Sequence, residues 1–122
     1  MADIMVIEDD ELMRDMMMLI LERQDHKVIG AENGKQAEHL LKQHKVDLVI
    51  TDILMPVQEG METIMILKHE YPDVKIIAMT GGGKTNPDIY LKIAKKMGVH
   101  RTLKKPFKHK ELMEAVNHVL NN

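Results

Sequence analysis

Five short runs of β-type residues alternate with five helical patterns, and this alternation limits the possible folds more than any other feature of the chain. The runs cover residues 4–7, 27–31, 48–51, 74–79 and 99–103. The helical patterns cover about 11–24, 33–43, 60–70, 86–98 and 108–120. Strands separated in sequence by helices predict a parallel sheet with helices on both faces. In the third run Leu48, Val49 and Ile50 are continuously apolar, as expected of a strand covered on both sides. That strand delivers Asp52 to its C-terminal tip, after which Met55-Pro56 blocks the ladder and Gly60 permits a turn.

The helices carry their own signals. Leu12, Met16 and Ile20 share one face of the first at four-residue spacing. By angular position Met13, Met16, Met17 and Ile20 cluster on its buried side, which places Met18 opposite, among Arg14, Asp15 and Glu22. Asn33 caps the second helix, with Gln36 as its capping-box partner. The third stops before Pro72, the fourth opens on Asn86-Pro87 and ends at Gly98, and the fifth buries Leu112, Val116, Val119 and Leu120. No repeat, linker or low-complexity segment interrupts the pattern, so residues 1–122 read as one domain.

Composition excludes several classes. The chain has no cysteine, so it has neither a disulfide nor a thiolate zinc site. Its seven histidines form no HExxH-type spacing and read as mostly surface. No apolar run approaches ~20 residues, and the N-terminus goes straight into a strand, so neither a membrane span nor a signal peptide is expected and the cytoplasm is the default location. Net charge is −2, which suggests no polyanion partner for the molecule as a whole.

In open α/β sheets the ligand crevice lies beyond the carboxyl ends of the strands. Here that edge collects Glu8-Asp9-Asp10, Asp52, Thr80 and Lys104-Lys105 from four separate strands. Clustered carboxylates repel unless a hard cation joins them, and Mg²⁺ prefers one or two carboxylates with water and phosphate oxygens. Such a site can offer Asp52 as a nucleophile to a phosphoryl group, with a metal and a lysine neutralising the transferring oxygens and Thr80 bonding another. The plainer alternative makes Lys105 a salt-bridge partner of the acids with no chemistry.

The motifs IEDDE, TDILMP with Gly60, AMTG and KKPF, in this order over the whole chain, resemble a response-regulator receiver domain, of the stand-alone, chemotaxis-regulator-like kind. The resemblance implies a doubly wound, flavodoxin-like α/β fold with a five-stranded parallel sheet of order 2-1-3-4-5. It implies Asp52 as phosphoacceptor from a histidine kinase or histidine phosphotransfer protein, Thr80 as switch hydroxyl and Lys105 as partner of the phosphoryl group. It implies Mg²⁺ held by Asp9 and Asp52, by Glu8 through water and by the Leu54 carbonyl, and a cis Lys105-Pro106 peptide, with Lys104 facing solvent. Such a protein is no enzyme beyond self-catalysed transfer and slow self-dephosphorylation.

Three departures stand out. Thr102 occupies the position where the family usually has an aromatic residue, Lys108 replaces the usual cap of the last helix, and Gly81-Gly82-Gly83 follows Thr80. Two other readings compete: a magnesium-dependent aspartyl-phosphate phosphatase or transferase, against which Leu54 stands where a second Asp is usual, and a receiver-like binding module independent of phosphorylation, although no acid, Asp or Lys is missing. Residues 84–110 hold nine Lys or Arg and a single acid, Asp88, which predicts a basic docking face for an acidic downstream protein, with nucleic acid disfavoured. Met18 is expected to touch the phosphodonor. Leu54 and Gly82, flanking the path of attacking water, offer no group to orient it and so predict slow loss of the phosphoryl group.

Overall fold

The computed structural model describes residues 1–53, 60–81 and 87–121, with side chains for all of these except 87, 88 and 91. Five parallel strands, β1 (Asp3–Ile7), β2 (Lys27–Ala31), β3 (Leu48–Asp52), β4 (Lys75–Gly81) and β5 (Arg101–Lys105), form one sheet in the order β2-β1-β3-β4-β5. Helices α1 (Glu11–Glu22), α2 (Gly34–Leu41), α3 (Gly60–Glu70), α4 (Pro87–Lys96) and α5 (His109–Leu120) provide the crossovers. The expected fold class and strand order hold.

Side-chain alternation divides the core into two layers. Ile4 and Val6 of β1, Leu48 and Ile50 of β3, and Ile77 and Met79 of β4 meet Met17 and Leu21 of α1 and Leu112, Ala115, Val116 and Val119 of α5. Met5, Ile7, Val49, Ile76 and Ala78 face the other way, onto Ala37 and Leu41 of α2, Ile64 and Leu67 of α3 and Ala94 of α4. Every residue of β3 is buried, as its continuous apolar run requires.

The element boundaries differ from expectation at the carboxyl edge. β3 extends to Asp52, β4 to Gly81 and β5 to Lys105, because Thr80 pairs with Lys104 and Gly81 with Lys105 in the ladder. Gly81 is therefore a strand residue and not the start of a loop. β5 also begins two residues later than expected, at Arg101, because Gly98 (φ +94°) turns the chain and His100 bonds across to β4.

Asn33 caps α2 as expected, its Oδ1 accepting from the Gln36 amide at 2.9 Å, whereas the Gln36 side chain accepts from the Glu32 amide at 2.7 Å, one residue before the position a capping box uses. Lys108 offers no side-chain acceptor to α5, yet the Glu111 carboxylate accepts from the Lys108 amide at 2.9 Å, so half of a capping box survives. The Lys105-Pro106 peptide is cis. Asn86 and the Met55-Pro56 turn lie outside the described residues.

Helix α1 turns Met13, Met17 and Ile20 to the core as expected, but not Leu12 or Met16. Met17 and Leu21 are buried and Met18 packs on the core, whereas Leu12 (72%), Met16 (47%) and Leu19 (51%) are exposed. Met18 is therefore no surface methionine: its sulfur rests over Gly30 of β2, where a Cβ would come within 2.7 Å of it. Among the described residues no helix is long and apolar enough to cross a membrane.

Candidate functional site

The chain leaves β1 for β2 on one side and returns to β3 on the other, so a crevice opens beyond the carboxyl ends of β1 and β3. Glu8 follows β1, held where the ladder would continue, with its amide donating to the Ala31 carbonyl at 3.0 Å. Its side chain is 1% exposed. Asp52 closes β3 and is 6% exposed. Gly60, the first residue of α3, lies against the backbone of Asp52 and Ile53, where a Cβ would overlap the Asp52 carbonyl oxygen and the Ile53 Cα. A glycine here lets α3 start directly beneath the strand tip that carries Asp52.

The three acids after β1 divide their work. Asp10 is the N-cap of α1, its carboxylate accepting from the Met13 amide at 3.2 Å. Glu8 and Asp9 turn toward Asp52, and the three carboxylates each offer an oxygen within 4.8 Å of the others. Asp9 is exposed, which leaves the group open to solvent on one side.

Lys105 ties the group together. Its ammonium bonds Glu8 Oε1 and, at 2.7 Å, Asp52 Oδ2. Burial works against the charged ammonium, but the hydrogen bonds to Asp52 and Glu8 outweigh it and hold the lysine above its ordinary value. Glu8 also lies above its ordinary value: burial dominates, the Asp9 hydrogen bond adds to it, and Lys105 opposes both. One ammonium thus faces a cluster of three carboxyl groups.

Thr80 lies one residue beyond Met79, the ladder partner of Asp52, and is fully buried. Among the described residues its hydroxyl has no hydrogen-bond partner, a state that costs ~1–3 kcal/mol for a buried polar group. A buried, unsatisfied hydroxyl at the edge that carries Asp52 suits an oxygen that arrives with a ligand.

The structure therefore brings together Glu8, Asp9, Asp52 and Lys105 and sets Thr80 at the same edge; Lys104 is exposed, as expected. Leu54 and Gly82 lie outside the described residues. Hard carboxylate oxygens at this spacing, with one side open, fit a hard divalent cation that keeps part of its water. Two clefts, of about 480 and 510 Å³, open at the opposite end of the sheet and touch none of these residues.

Sequence reasoning missed Arg14, whose guanidinium Nη1 donates to the Glu8 carbonyl at 2.8 Å. The signal was Gly30, a glycine inside a strand, which marks a close approach of another element.

Comparison with known proteins agrees with this geometry. The chain is 32% identical over 117 residues to Chemotaxis protein CheY of Halobacterium salinarum, covering 96% of this chain and 95% of that protein. It is 33% identical over 121 residues to the DNA-binding transcriptional regulator NtrC of Azospirillum brasilense, covering 99% of this chain but 24% of that regulator. A response regulator receiver domain protein from Clostridium thermocellum superposes with a TM-score of 0.88 at 28% identity, covering 99% and 95% of the two chains. Chemotaxis protein CheY4 of Vibrio cholerae superposes with a TM-score of 0.85 at 25% identity, covering 98% of each. The family model described as the response regulator receiver domain matches residues 4–117. That match runs from inside β1 to inside α5, so it accounts for the whole alternating fold as well as the acidic edge, and the chain belongs to the response regulator receiver domain family.

Proposed function

We propose that this chain works as its family does in general, by phosphorylation-based signalling, with Asp52 as the phosphoacceptor and Mg²⁺ as the cation at Glu8, Asp9 and Asp52. The observation that carries the reading is the Lys105 bridge between Glu8 and Asp52 beside the unpartnered Thr80 hydroxyl. It combines a buried nucleophile, a cation donor and a waiting hydroxyl at one strand edge. The phosphoryl group comes from a phosphohistidine of a kinase or phosphotransfer protein. The P–N bond breaks as a P–O bond to an Asp52 carboxylate oxygen forms, and the electron pair stays on the imidazole nitrogen, which takes a proton. A cation held by Glu8, Asp9 and Asp52 would supply charge neutralisation for the transferring oxygens. Lys105 moves its ammonium from the carboxylates to the phosphoryl group, and the Thr80 hydroxyl bonds another of its oxygens. The chain turns over no other substrate, and loss of the phosphoryl group to water is slow.

A donor protein has to reach Asp52 past α1, which starts directly after the acids. The exposed Leu12, Met16 and Leu19 there, beside a groove of about 290 Å³ lined by Met16, Ile20, His109 and Met113, form the apolar surface it meets. That surface replaces Met18, which packs on the core. Output runs through α4, β5 and the start of α5, where Ile89 and Ile93 are exposed among Lys92, Lys95, Lys96, Lys104, Lys108 and Lys110, a surface suited to an acidic protein partner. A cytoplasmic location accords with a chain without cysteine.

Intact-mass measurement after incubation with Mg²⁺ and acetyl phosphate tests the reading. A single phosphate adduct that disappears in Asp52→Asn supports it. An adduct that persists in Asp52→Asn, or turnover of phosphate esters, refutes it.

A further inference from the structure

The loop bearing Glu8 and Asp9 is fixed from both sides. On one side the Glu8 amide donates to Ala31 of β2. On the other, Arg14 reaches back from α1 and donates to the Glu8 carbonyl at 2.8 Å. That carbonyl belongs to the peptide joining Glu8 to Asp9, so its orientation sets how the two carboxylates stand relative to each other. Arg14 can reach it because β2 carries glycine at position 30. A Cβ there would lie 3.1 Å from Arg14 Cδ, 3.4 Å from Arg14 Cγ and 2.7 Å from Met18 Sδ. The missing side chain is the seat in which the arginine stem and the methionine lie.

We infer that Arg14, seated on Gly30, is a positioning residue for the cation site: it holds the Glu8–Asp9 peptide so that both carboxylates face Asp52. The inference rests on the reading that Glu8, Asp9 and Asp52 hold a divalent cation. Arg14 touches neither the cation nor a transferred group. It acts through one hydrogen bond, as outer partners of metal ligands do, and loss of such a partner commonly weakens metal binding ~10–100-fold. Its charge also offsets part of the repulsion among the acids while the site holds no cation.

The test measures Mn²⁺ affinity by the electron paramagnetic resonance of free Mn²⁺, together with unfolding in urea. Arg14→Ala weakens Mn²⁺ binding by about tenfold or more. Arg14→Lys, which keeps a donor and a charge, restores part of it. Gly30→Val keeps the guanidinium but fills its seat, so Mn²⁺ binding weakens, while the overlap with Met18 Sδ lowers the urea midpoint but leaves the protein folded without urea, where binding is read. That split separates positioning from a general loss of fold. Where valine prevents folding, Gly30→Ala makes the same measurement. Unchanged Mn²⁺ affinity in Arg14→Ala or in the Gly30 variant overturns the inference and leaves the cation site standing. A wild-type protein that binds no Mn²⁺ overturns both.

Discussion

Replacing Lys105 by methionine keeps the length of the side chain and removes the one ammonium that bonds both Glu8 and Asp52. Two carboxylates that are 1% and 6% exposed then face each other and Asp9 without it. Removing one partner of a buried ion pair costs ~3–5 kcal/mol; the Lys105 side chain is 20% exposed, so water recovers part and the lower end, about 3 kcal/mol, applies. With a urea dependence of roughly 1.5 kcal/mol per M, the midpoint falls by about 2 M.

The loss depends on pH in a defined direction. Burial, with the Asp9 hydrogen bond, already holds the folded Glu8 carboxyl above its ordinary value of 4.5, and Lys105 is what opposes this. Without Lys105 the folded value rises further. A carboxyl raised on folding contributes stability that is fully present below its unfolded value and is lost as pH rises through the folded value. The deficit of Lys105→Met is therefore largest at pH 7.5 and shrinks toward pH 5. With Mg²⁺ at the proposed cation site, the midpoint of the variant rises more than that of the wild type, because the cation no longer competes with the ammonium. Far-UV circular dichroism in urea at the two pH values, with and without Mg²⁺, measures all of this. A deficit below about 1 kcal/mol, or one equal at both pH values, refutes the claim that Lys105 holds buried like charges together.

Gly60→Ala gains ~1 kcal/mol of helix propensity but forces a methyl into the Asp52–Ile53 backbone, and overpacking of ~1–3 kcal/mol or more outweighs it. A urea midpoint at or above that of the wild type would contradict this. His100 Nδ1 accepts from the Ile76 amide at 3.0 Å, and burial, with Lys68 and Lys75, lowers its pKa. The unfolded chain therefore takes up the proton first, and the stability this histidine gives above about pH 6.5 is lost as pH falls toward the folded value. His100→Asn, which keeps an acceptor, flattens the fall in urea midpoint between pH 7.5 and 5.5, and an unchanged slope would exclude His100 as its source. Leu12, Met16 and Leu19 changed together to Glu slow phosphotransfer from a protein donor at least tenfold but leave acetyl phosphate labelling intact; equal slowing of both would point to damage at the site instead. Reversing Lys92, Lys95 and Lys96 to Glu weakens binding of the downstream partner and flattens its salt dependence, as read by titration at two ionic strengths, and unchanged affinity and salt dependence would rule out a basic docking face.

Much of this molecule was legible in the sequence because parallel topology does the organising. Once five strands run the same way, whatever follows each apolar run arrives at one edge, so Glu8, Asp52, Thr80 and Lys105 could be brought together without coordinates. The strand ends were less legible: Thr80, Gly81, Lys104 and Lys105 are paired in the ladder, yet their side chains carry no apolar pattern to extend the strands. The face of helix α1 was legible at Met13, Met17 and Ile20 but not at Leu12, Met16 and Met18, because Met13, Met16, Met17, Met18, Leu19, Ile20 and Leu21 are apolar nearly all round and periodicity leaves the edges of the buried stripe open. Packing decides the phase, and it turns on Gly30, which admits Met18 and Arg14 and so rotates Leu12, Met16 and Leu19 outward.

Thr102 bears on how a change at Asp52 travels. The residue is half-buried on β5 opposite Ala78 of β4, so two small side chains meet where the family usually places a ring three residues before the lysine. No aromatic group is available there to swing between a buried and an exposed position. What joins Thr80 to the basic surface among the described residues is the ladder itself: Thr80 pairs with Lys104 and Gly81 with Lys105. The strands are close enough at Gly81 that a Cβ would come within 2.6 Å of Lys105 Cβ and 2.7 Å of its amide nitrogen. In the proposed phosphorylation, a shift of Thr80 toward a phosphoryl group on Asp52 would displace the backbone next to Lys105. Asp52, Thr80 and Lys105 lie on three adjacent strand ends, and a link between them through the ladder needs no side chain larger than threonine at position 102.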